Sequence, residues 1–125
     1  MQDRFKYRIW LKDTNKMYNV CSLHIGTNKA IISSRRGNVS IYINKNNILM
    51  QSTGLKDKNG KLIYEGDRVY IDCEDETAVI KWSDDLARFT IHFEDEAVFA
   101  DFDNYYSKEL EVIGNIYENP ELPKE

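Results

Sequence analysis

The chain has 125 residues, of which 42% are hydrophobic and 30% are charged, and these proportions exclude a disordered chain as the default. The length fits one domain, or two small β subdomains that share a core. No apolar run approaches the roughly 18 residues of a transmembrane helix, and the N-terminus lacks a signal-peptide pattern. We therefore expect a cytoplasmic protein without membrane contact.

Charge is distributed unevenly along the chain. The net charge is −4, but residues 1–71 carry 13 Lys/Arg against 5 Asp/Glu, whereas residues 72–103 carry 2 against 11. Such polarity can orient two halves of a molecule or steer subunits head to tail. It is equally compatible with solvated faces of opposite sign.

The first half of the chain alternates in the manner of short strands. Apolar residues from Phe5 to Ile9 alternate with Lys6 and Arg8, which predicts a half-buried strand with the basic side chains on the other face. A polar turn at residues 12–16 and a return strand from Met17 complete a predicted hairpin. Further short strands are predicted around residues 23–25, 30–32, 39–43 and 48–50.

The second half is punctuated by turns. Residues 57–60 read Asp-Lys-Asn-Gly, and Asn and Gly tolerate the positive φ of a tight reversal. A second bend is predicted at residues 65–67, a hairpin from residues 78–82 and 89–93, and a closing strand from residue 110. For residues 94–106 a short helix and a meandering loop fit the sequence equally well, so no single structure is predicted there. The pattern indicates an all-β fold, a small β-barrel or sandwich.

The sequence contains no pattern typical of a catalytic, metal or cofactor site. His24 and His92 have no metal-ligand spacing around them, and neither a phosphate-binding loop nor a nucleophile elbow occurs. Cys21 and Cys73 are predicted to be small, partly buried hydrophobic residues without a disulfide. We expect a protein that is not an enzyme and needs no cofactor.

Carboxylates cluster in the acidic segment and define a predicted acidic face. Its members are Asp72, Glu74, Asp75, Glu76, Glu94, Asp95 and Glu96. They could bind a hard cation, although the spacing is not that of an EF-hand, perform acid–base chemistry, or mimic nucleic-acid phosphates. A solvated surface is the interpretation we favour.

Basic and aromatic residues of the first half raise nucleic-acid binding as an alternative. The low pI of about 5.2 counts against it, because dedicated nucleic-acid binders are usually basic. The candidate residues for contact with a ligand or partner are Trp10, Arg35, Arg36 and Tyr42.

Two long segments resemble the signatures of the YopX family of phage and prophage proteins. They are Gly54–Val69, GLKDKNGKLIYEGDRV, and Glu109–Leu122, ELEVIGNIYENPEL. The opening, with Arg8, Trp10 and Met17, is similar to the family's N-terminal hairpin. The resemblance covers nearly the whole chain, and residues 21–47 are its variable part.

The resemblance implies an all-β domain over residues 1–125, with an N-terminal hairpin-rich part packed on an SH3-like barrel. The expected subdomains are residues 1–50 and 51–119, followed by a tail at residues 120–125. It also implies a gene of a phage or prophage and supplies no catalytic residues. The glycines of the motifs, Gly54, Gly60, Gly66 and Gly114, suit tight turns.

Three functional hypotheses follow. The leading one is a non-enzymatic accessory protein that binds a host or phage protein. The second is a homo-oligomer that sequesters a nucleotide-like small molecule, with Arg35, Arg36 and nearby tyrosines contacting the anion. The third, which we do not favour, is nucleic-acid binding through the basic N-terminal half.

Overall fold

Alternating apolar residues fold nearly the whole chain into antiparallel strands in the computed structural model, which describes residues 3–94 and 99–120. The strands are Tyr7–Leu11 (β1), Lys16–His24 (β2), Lys29–Ser34 (β3), Gly37–Tyr42 (β4), Asn47–Lys56 (β5), Leu62–Tyr64 (β6), Asp67–Ile71 (β7), Glu76–Ser83 (β8), Arg88–Phe93 (β9), Phe99–Asp101 (β10) and Leu110–Asn115 (β11). A 3-10 turn, Asp3–Phe5, precedes β1, and a short helix, Asn104–Ser107 (α1), precedes β11. None of the helices in these ranges is long and apolar enough to cross a membrane.

The N-terminal sheet has six strands in the order β4-β3-β2-β1-β5-β6. Its core forms where Ile9 of β1 meets Ala30 and Ile32 of β3, all of which are buried. Half-buried residues such as Val20 and Ile41 surround this cluster. The sheet is therefore held by a small apolar core.

The C-terminal sheet has five strands in the order β10-β9-β8-β7-β11 and carries the larger core. The members of that core are Ile63, Val69, Ile71, Ala78, Ile80, Ile91 and Leu110. Because β10 and β11 are end strands, this sheet is open within the described ranges, and the N-terminal sheet is open as well. The all-β prediction is confirmed as two antiparallel sheets. The SH3-like barrel implied for the C-terminal half is not confirmed, since neither sheet closes.

Both predicted hairpins are confirmed. In the second one, Ile80 of β8 stands opposite Ile91 of β9, in the register that the alternating pattern requires. The stretch without a predicted structure contains β10 and α1. Residues 95–98 of that stretch lie outside the described residues.

Two of the four motif glycines occupy strands rather than tight turns. Gly54 lies inside β5 with φ of 82°, at a register shift in the pairing with β6. A Cβ on Gly54 would stand 2.9 Å from the Cβ of Arg4, so a side chain would collide with the chain entering β1. Gly114 marks a comparable shift in β11. The positive φ of Gly54 requires glycine, but a bulge and a turn make the same demand, so the sequence did not distinguish them.

The alternation in β1 predicted that Arg8 points to solvent. In the structure its side chain does not. It is buried, and its Nη2 atom lies 2.7 Å from Oδ1 of Asp67 in β7. The guanidinium also stacks over the ring of Tyr64, 4.6 Å from its centroid, and the other Asp67 oxygen accepts the Tyr64 N–H at 2.8 Å. Both faces of β1 are covered here because the second sheet lies against it.

The junction between the sheets has a backbone component as well. The N–H of Gly66 donates to the carbonyl of Ile80 at 2.7 Å, and the carbonyl of Gly66 accepts from Ile116 at 2.9 Å. Trp10 of β1 stacks on Tyr117 with ring centroids 5.9 Å apart. The bend after β6 thus fixes the C-terminal sheet against β1.

Burial makes the charged form of the Asp67 carboxylate less favourable. Burial raises the pKa of Asp67, and the attraction of Arg8 and the Tyr64 N–H act in the opposite direction. The pair is a case in which desolvation competes with Coulomb attraction. Its contribution to stability is therefore sensitive to the loss of either partner.

We expect Arg8→Met to lower the free energy of unfolding by about 3–5 kcal/mol, because Asp67 would be left charged and buried without its cation. Adding Asp67→Asn should recover part of that loss, since the charge disappears while an oxygen remains for the Tyr64 N–H. Urea denaturation at neutral pH measures the free energy of unfolding of the single and the double variant.

The control Arg88→Met breaks an exposed pair with Asp101 and should cost at most about 1 kcal/mol. Equal losses in the Arg8 single and double variants would contradict the interpretation.

A second prediction concerns the β8–β9 turn, where Ala87 adopts a φ of 55°. The left-handed conformation costs an L-residue about 1–2 kcal/mol, and glycine avoids this cost. After the larger entropy of the unfolded chain is deducted, Ala87→Gly should stabilise the protein by about 0.5–1 kcal/mol in thermal or urea unfolding. The same change at Ala100, in the extended strand β10, should destabilise it. A loss of stability in Ala87→Gly would contradict the interpretation that the backbone of Ala87 is strained.

Candidate functional site

A groove of about 750 Å³ opens at one end of the N-terminal sheet, where the β1–β2 and β3–β4 turns lie side by side. Its lining residues are Asn15, Lys16, Met17, Tyr18, Ser33, Ser34, Arg35, Arg36 and Glu118. The pairing of β2 with β3 brings residues 15–18 next to residues 33–36. We call this feature the basic groove.

The β3–β4 turn presents two arginines at the rim of the basic groove. Gly37 adopts a φ of 103°, a conformation that glycine accepts at low cost. The Ser34 hydroxyl donates to the Gly37 carbonyl at 2.9 Å and accepts the Arg36 N–H at 3.2 Å. This local network closes the turn and leaves both Arg35 and Arg36 exposed.

Among the described residues, three of the four charged side chains that line the basic groove are cations, namely Lys16, Arg35 and Arg36. Within the described residues, no carboxylate lies within salt-bridge distance of Lys16, Arg35 or Arg36. The sequence explains why, because residues 12–46 contain six Lys/Arg and a single acidic residue, Asp13. The groove therefore carries a local positive field although the protein as a whole is acidic.

One carboxylate, Glu118, also lines the basic groove. Its Oε1 atom accepts from the Asn115 side chain at 2.8 Å, and Oδ1 of Asn115 accepts the backbone N–H groups of Tyr117 and Glu118. The carboxylate is thus held in place by an Asn-centred turn. A ligand that matches this lining needs acceptor groups for the arginines and a donor for Glu118.

Trp10 lies next to the basic groove rather than in it. A smaller cavity lined by Trp10, Asn15, Tyr117, Glu118 and Pro120 shares Asn15 and Glu118 with the groove. Trp10 itself is only 6% exposed and is stacked on Tyr117. It is therefore a core residue whose edge borders the cavity.

Tyr42 is separated from the predicted arginines by the length of a strand. It ends β4, whereas Arg35 and Arg36 precede the start of that strand. Its ring is 60% exposed and lies under the ammonium group of Lys29, at 5.0 Å. The structure thus brings Arg35 and Arg36 into one groove and places Tyr42 elsewhere.

The predicted acidic face is largely occupied by contacts within the protein. Four contacts account for most of it: Asp72 with Lys58, Glu74 with the Tyr106 hydroxyl at 3.0 Å, Asp75 with the Tyr70 hydroxyl at 2.6 Å, and Glu94 with Arg68. Glu76 in β8 is half-buried and has contacts of its own. Asp95 and Glu96 lie outside the described residues. Through these contacts the acidic segment takes part in holding the fold together.

One carboxylate of the acidic segment, Glu74, affects the pKa of a tyrosine in α1. Burial and the neighbouring Glu74 carboxylate raise the pKa of the Tyr106 hydroxyl above its usual value. The raised pKa favours the protonated hydroxyl, which is the form that donates the hydrogen bond to Glu74. This bond ties α1 to the β7–β8 turn.

The two cysteines are exposed, contrary to the prediction of partial burial. Cys73 donates from its thiol to Oε1 of Glu109 at 3.0 Å, and this hydrogen bond raises the pKa of the thiol. A raised pKa lowers the fraction of reactive thiolate. In residues 3–94 and 99–120, no group of three His, Cys, Asp or Glu side chains could hold a metal ion.

Sequence reasoning missed Lys16 and Glu118 as members of the groove. Lys16 follows from the register of the β1–β2 hairpin, which pairs it with Leu11 at the end of the strand. Glu118 reaches the groove through the C-terminal turn, far from Arg35 along the chain. A single sequence contains no signal for such a long-range approach.

Comparison with known proteins places this fold among known relatives. The family model described as YopX protein matches residues 6–124. The crystal structure of protein EF1440 from Enterococcus faecalis is 29% identical, with a TM-score of 0.62 over 93% of this chain and 95% of that one. The structure of protein yopX from Bacillus subtilis is 23% identical, with a TM-score of 0.59 over 96% and 98%, and shows the fold alone. No curated protein matches the chain.

Proposed function

We propose, starting from the fact that this chain belongs to the YopX family, that it is a phage- or prophage-encoded accessory protein. It acts in the host cytoplasm by binding a host or phage protein and catalyses no reaction. The observation that carries the proposal is the basic groove, whose cations Lys16, Arg35 and Arg36 lack internal carboxylate partners among the described residues.

The chemistry of the groove suits holding a ligand. Arginine forks match carboxylates in two-point contacts, and the serine and asparagine side chains can donate and accept hydrogen bonds. The lining contains neither His nor Cys, which are common general bases and nucleophiles. These groups support binding to an acidic protein surface.

Charge complementarity defines the partner's surface. A partner that offers carboxylates to Arg35 and Arg36 gains charge-assisted hydrogen bonds without breaking any internal ion pair. It also meets Glu118, so a backbone N–H or a basic side chain next to the carboxylates completes the match. The positive field accelerates the encounter and makes it sensitive to salt.

The double variant Arg35→Glu/Arg36→Glu tests this function. We expect the tagged wild-type protein to enrich a defined set of proteins from phage-infected host lysate and the variant to lose them by about tenfold or more, because like charges repel. Quantitative mass spectrometry of the captured proteins is the measurement.

The matched control is Lys61→Glu/Lys108→Glu, which makes the same change in net charge at exposed positions away from the groove. It should retain the captured set. Equal capture by wild type and the Arg35/Arg36 variant would reject the groove as the contact surface. Failure of the wild type to enrich any protein would reject the function.

A second candidate is sequestration of a nucleotide-like small molecule by a homo-oligomer. The observation that favours it is Tyr18, an aromatic side chain in the same groove as Arg35 and Arg36. Arginines contact phosphate and an aromatic face stacks on a base. The Glu118 carboxylate disfavours a highly charged phosphate, so this candidate ranks below protein binding.

Native mass spectrometry of gently purified protein distinguishes the two candidates. Sequestration predicts an oligomer with a mass excess of nucleotide size that disappears in Arg35→Glu/Arg36→Glu. A bare monomer would reject sequestration and leave protein binding.

A further inference from the structure

The outer edge of β4 pairs with no other strand in the described part of the chain, and only at its last residue does a side chain approach it, where the Asn47 amide donates to the Tyr42 carbonyl at 2.9 Å. β4 is the end strand of the N-terminal sheet, and it pairs with β3 over six residues without a register shift. Natural sheets usually protect such edges with charged residues, proline or a bulge. From Gly37 to Asn44, however, the chain carries neither a charge nor a proline. β4 is therefore a regular, uncharged strand with one side available for pairing.

The two faces of β4 differ in polarity. Val39 stands opposite Ile32, and Ile41 stands opposite Ala30, so both lie on the face of the apolar cluster, against which Ile41 packs. Val39 remains 39% exposed although it lies on this face. Asn38 and Ser40 lie on the other face because successive side chains alternate. A further strand with apolar residues at alternate positions would cover the open end of the cluster.

Positive charges flank β4 at both ends. Arg35 and Arg36 precede its first residue, while Lys29 lies beside Tyr42 at its last residue and Lys45 follows. In the described ranges, none of these four cations forms a salt bridge. A strand of six residues spans about 17 Å, so the two groups of charges sit roughly that far apart.

These charges oppose pairing of β4 with a second copy of itself. An antiparallel pair would place Arg35 and Arg36 of one copy near Lys29 and Lys45 of the other. A parallel pair would place the arginines beside each other. Both arrangements bring like charges together, which is destabilising across paired strands.

We propose that β4 binds an extended segment of a partner protein as a seventh strand, and that this segment is apolar at alternate positions and acidic at both ends. The inference rests on the proposed function and names its mode of recognition, which is strand addition. Backbone hydrogen bonds supply affinity, and Val39 and Ile41 select apolar side chains. The flanking cations select carboxylates and set the register.

A synthetic peptide tests the proposal on the full chain. The probe has three valines alternating with three threonines and two aspartates at each end. We expect saturable binding in fluorescence anisotropy, with slowed amide hydrogen exchange in β4. A peptide with lysines in place of the aspartates should bind at least about tenfold more weakly, because its ends repel the cations. So should a peptide with a central proline, because proline cannot donate to a strand ladder.

Variants of the protein provide a matched comparison. Val39→Asp places a charge on the apolar face of the edge and should weaken peptide binding by about tenfold, whereas Asn38→Asp adds the same charge on the opposite face and should have a smaller effect. Circular dichroism verifies that both variants fold. If Val39→Asp fails to fold, the peptide comparison still decides.

Three results would overturn strand addition. They are no binding of the acidic peptide, binding of the proline peptide as tight as that of the acidic peptide, or amide exchange that slows outside β4 and not within it. Capture of partners that is lost in Arg35→Glu/Arg36→Glu but unchanged in Val39→Asp would also reject it. That last result would leave the proposed function intact, so the two ideas fail separately.

Discussion

The buried ion pair of Arg8 and Asp67 is the interaction on which the arrangement of the two sheets depends. Arg8 comes from the centre of the N-terminal sheet and Asp67 begins the first strand of the C-terminal sheet. Buried pairs of this kind add little net stability compared with apolar residues, yet they penalise every arrangement in which one partner is left alone. Because Asp67 also binds the Tyr64 N–H, the pair fixes the bend between β6 and β7 together with the packing of β1.

A second buried carboxylate, Asp57, lies within the central motif Gly54–Val69. Asp57 accepts the N–H groups of Asn59 and Lys61 within its turn, and its other oxygen accepts the N–H of Val112 in β11 at 2.9 Å. One side chain therefore closes a turn and binds it to the last strand. Together with the pairs in the acidic segment, these contacts use many of the carboxylates to build the fold.

The sequence predicted what depends on local alternation and missed what depends on distant contacts. The β8–β9 hairpin follows from a period of two and a polar turn, so its register was predictable. The burial of Arg8 was not, because alternation assigns faces without showing that a second sheet covers the polar one. Gly54 was recognised as a special position, but a turn and a bulge place the same demand on φ. Arg35 and Arg36 were predicted as contact residues, whereas Glu118 became visible only after folding.

Net charge is a poor guide to what this protein presents to a partner. The chain is acidic, with a pI near 5.2, but many carboxylates of the C-terminal sheet are already bound to Lys58, Arg68 or tyrosine hydroxyls. The cations that flank the uncharged strand β4 form no salt bridge within the described residues; they are Lys29, Arg35, Arg36 and Lys45. A nucleic acid would satisfy those cations but would leave the backbone groups of β4 unpaired and would face Glu118. The proposed acidic, extended segment would offer carboxylates to those cations and backbone groups to β4, which is why we favour a protein segment over a nucleic acid.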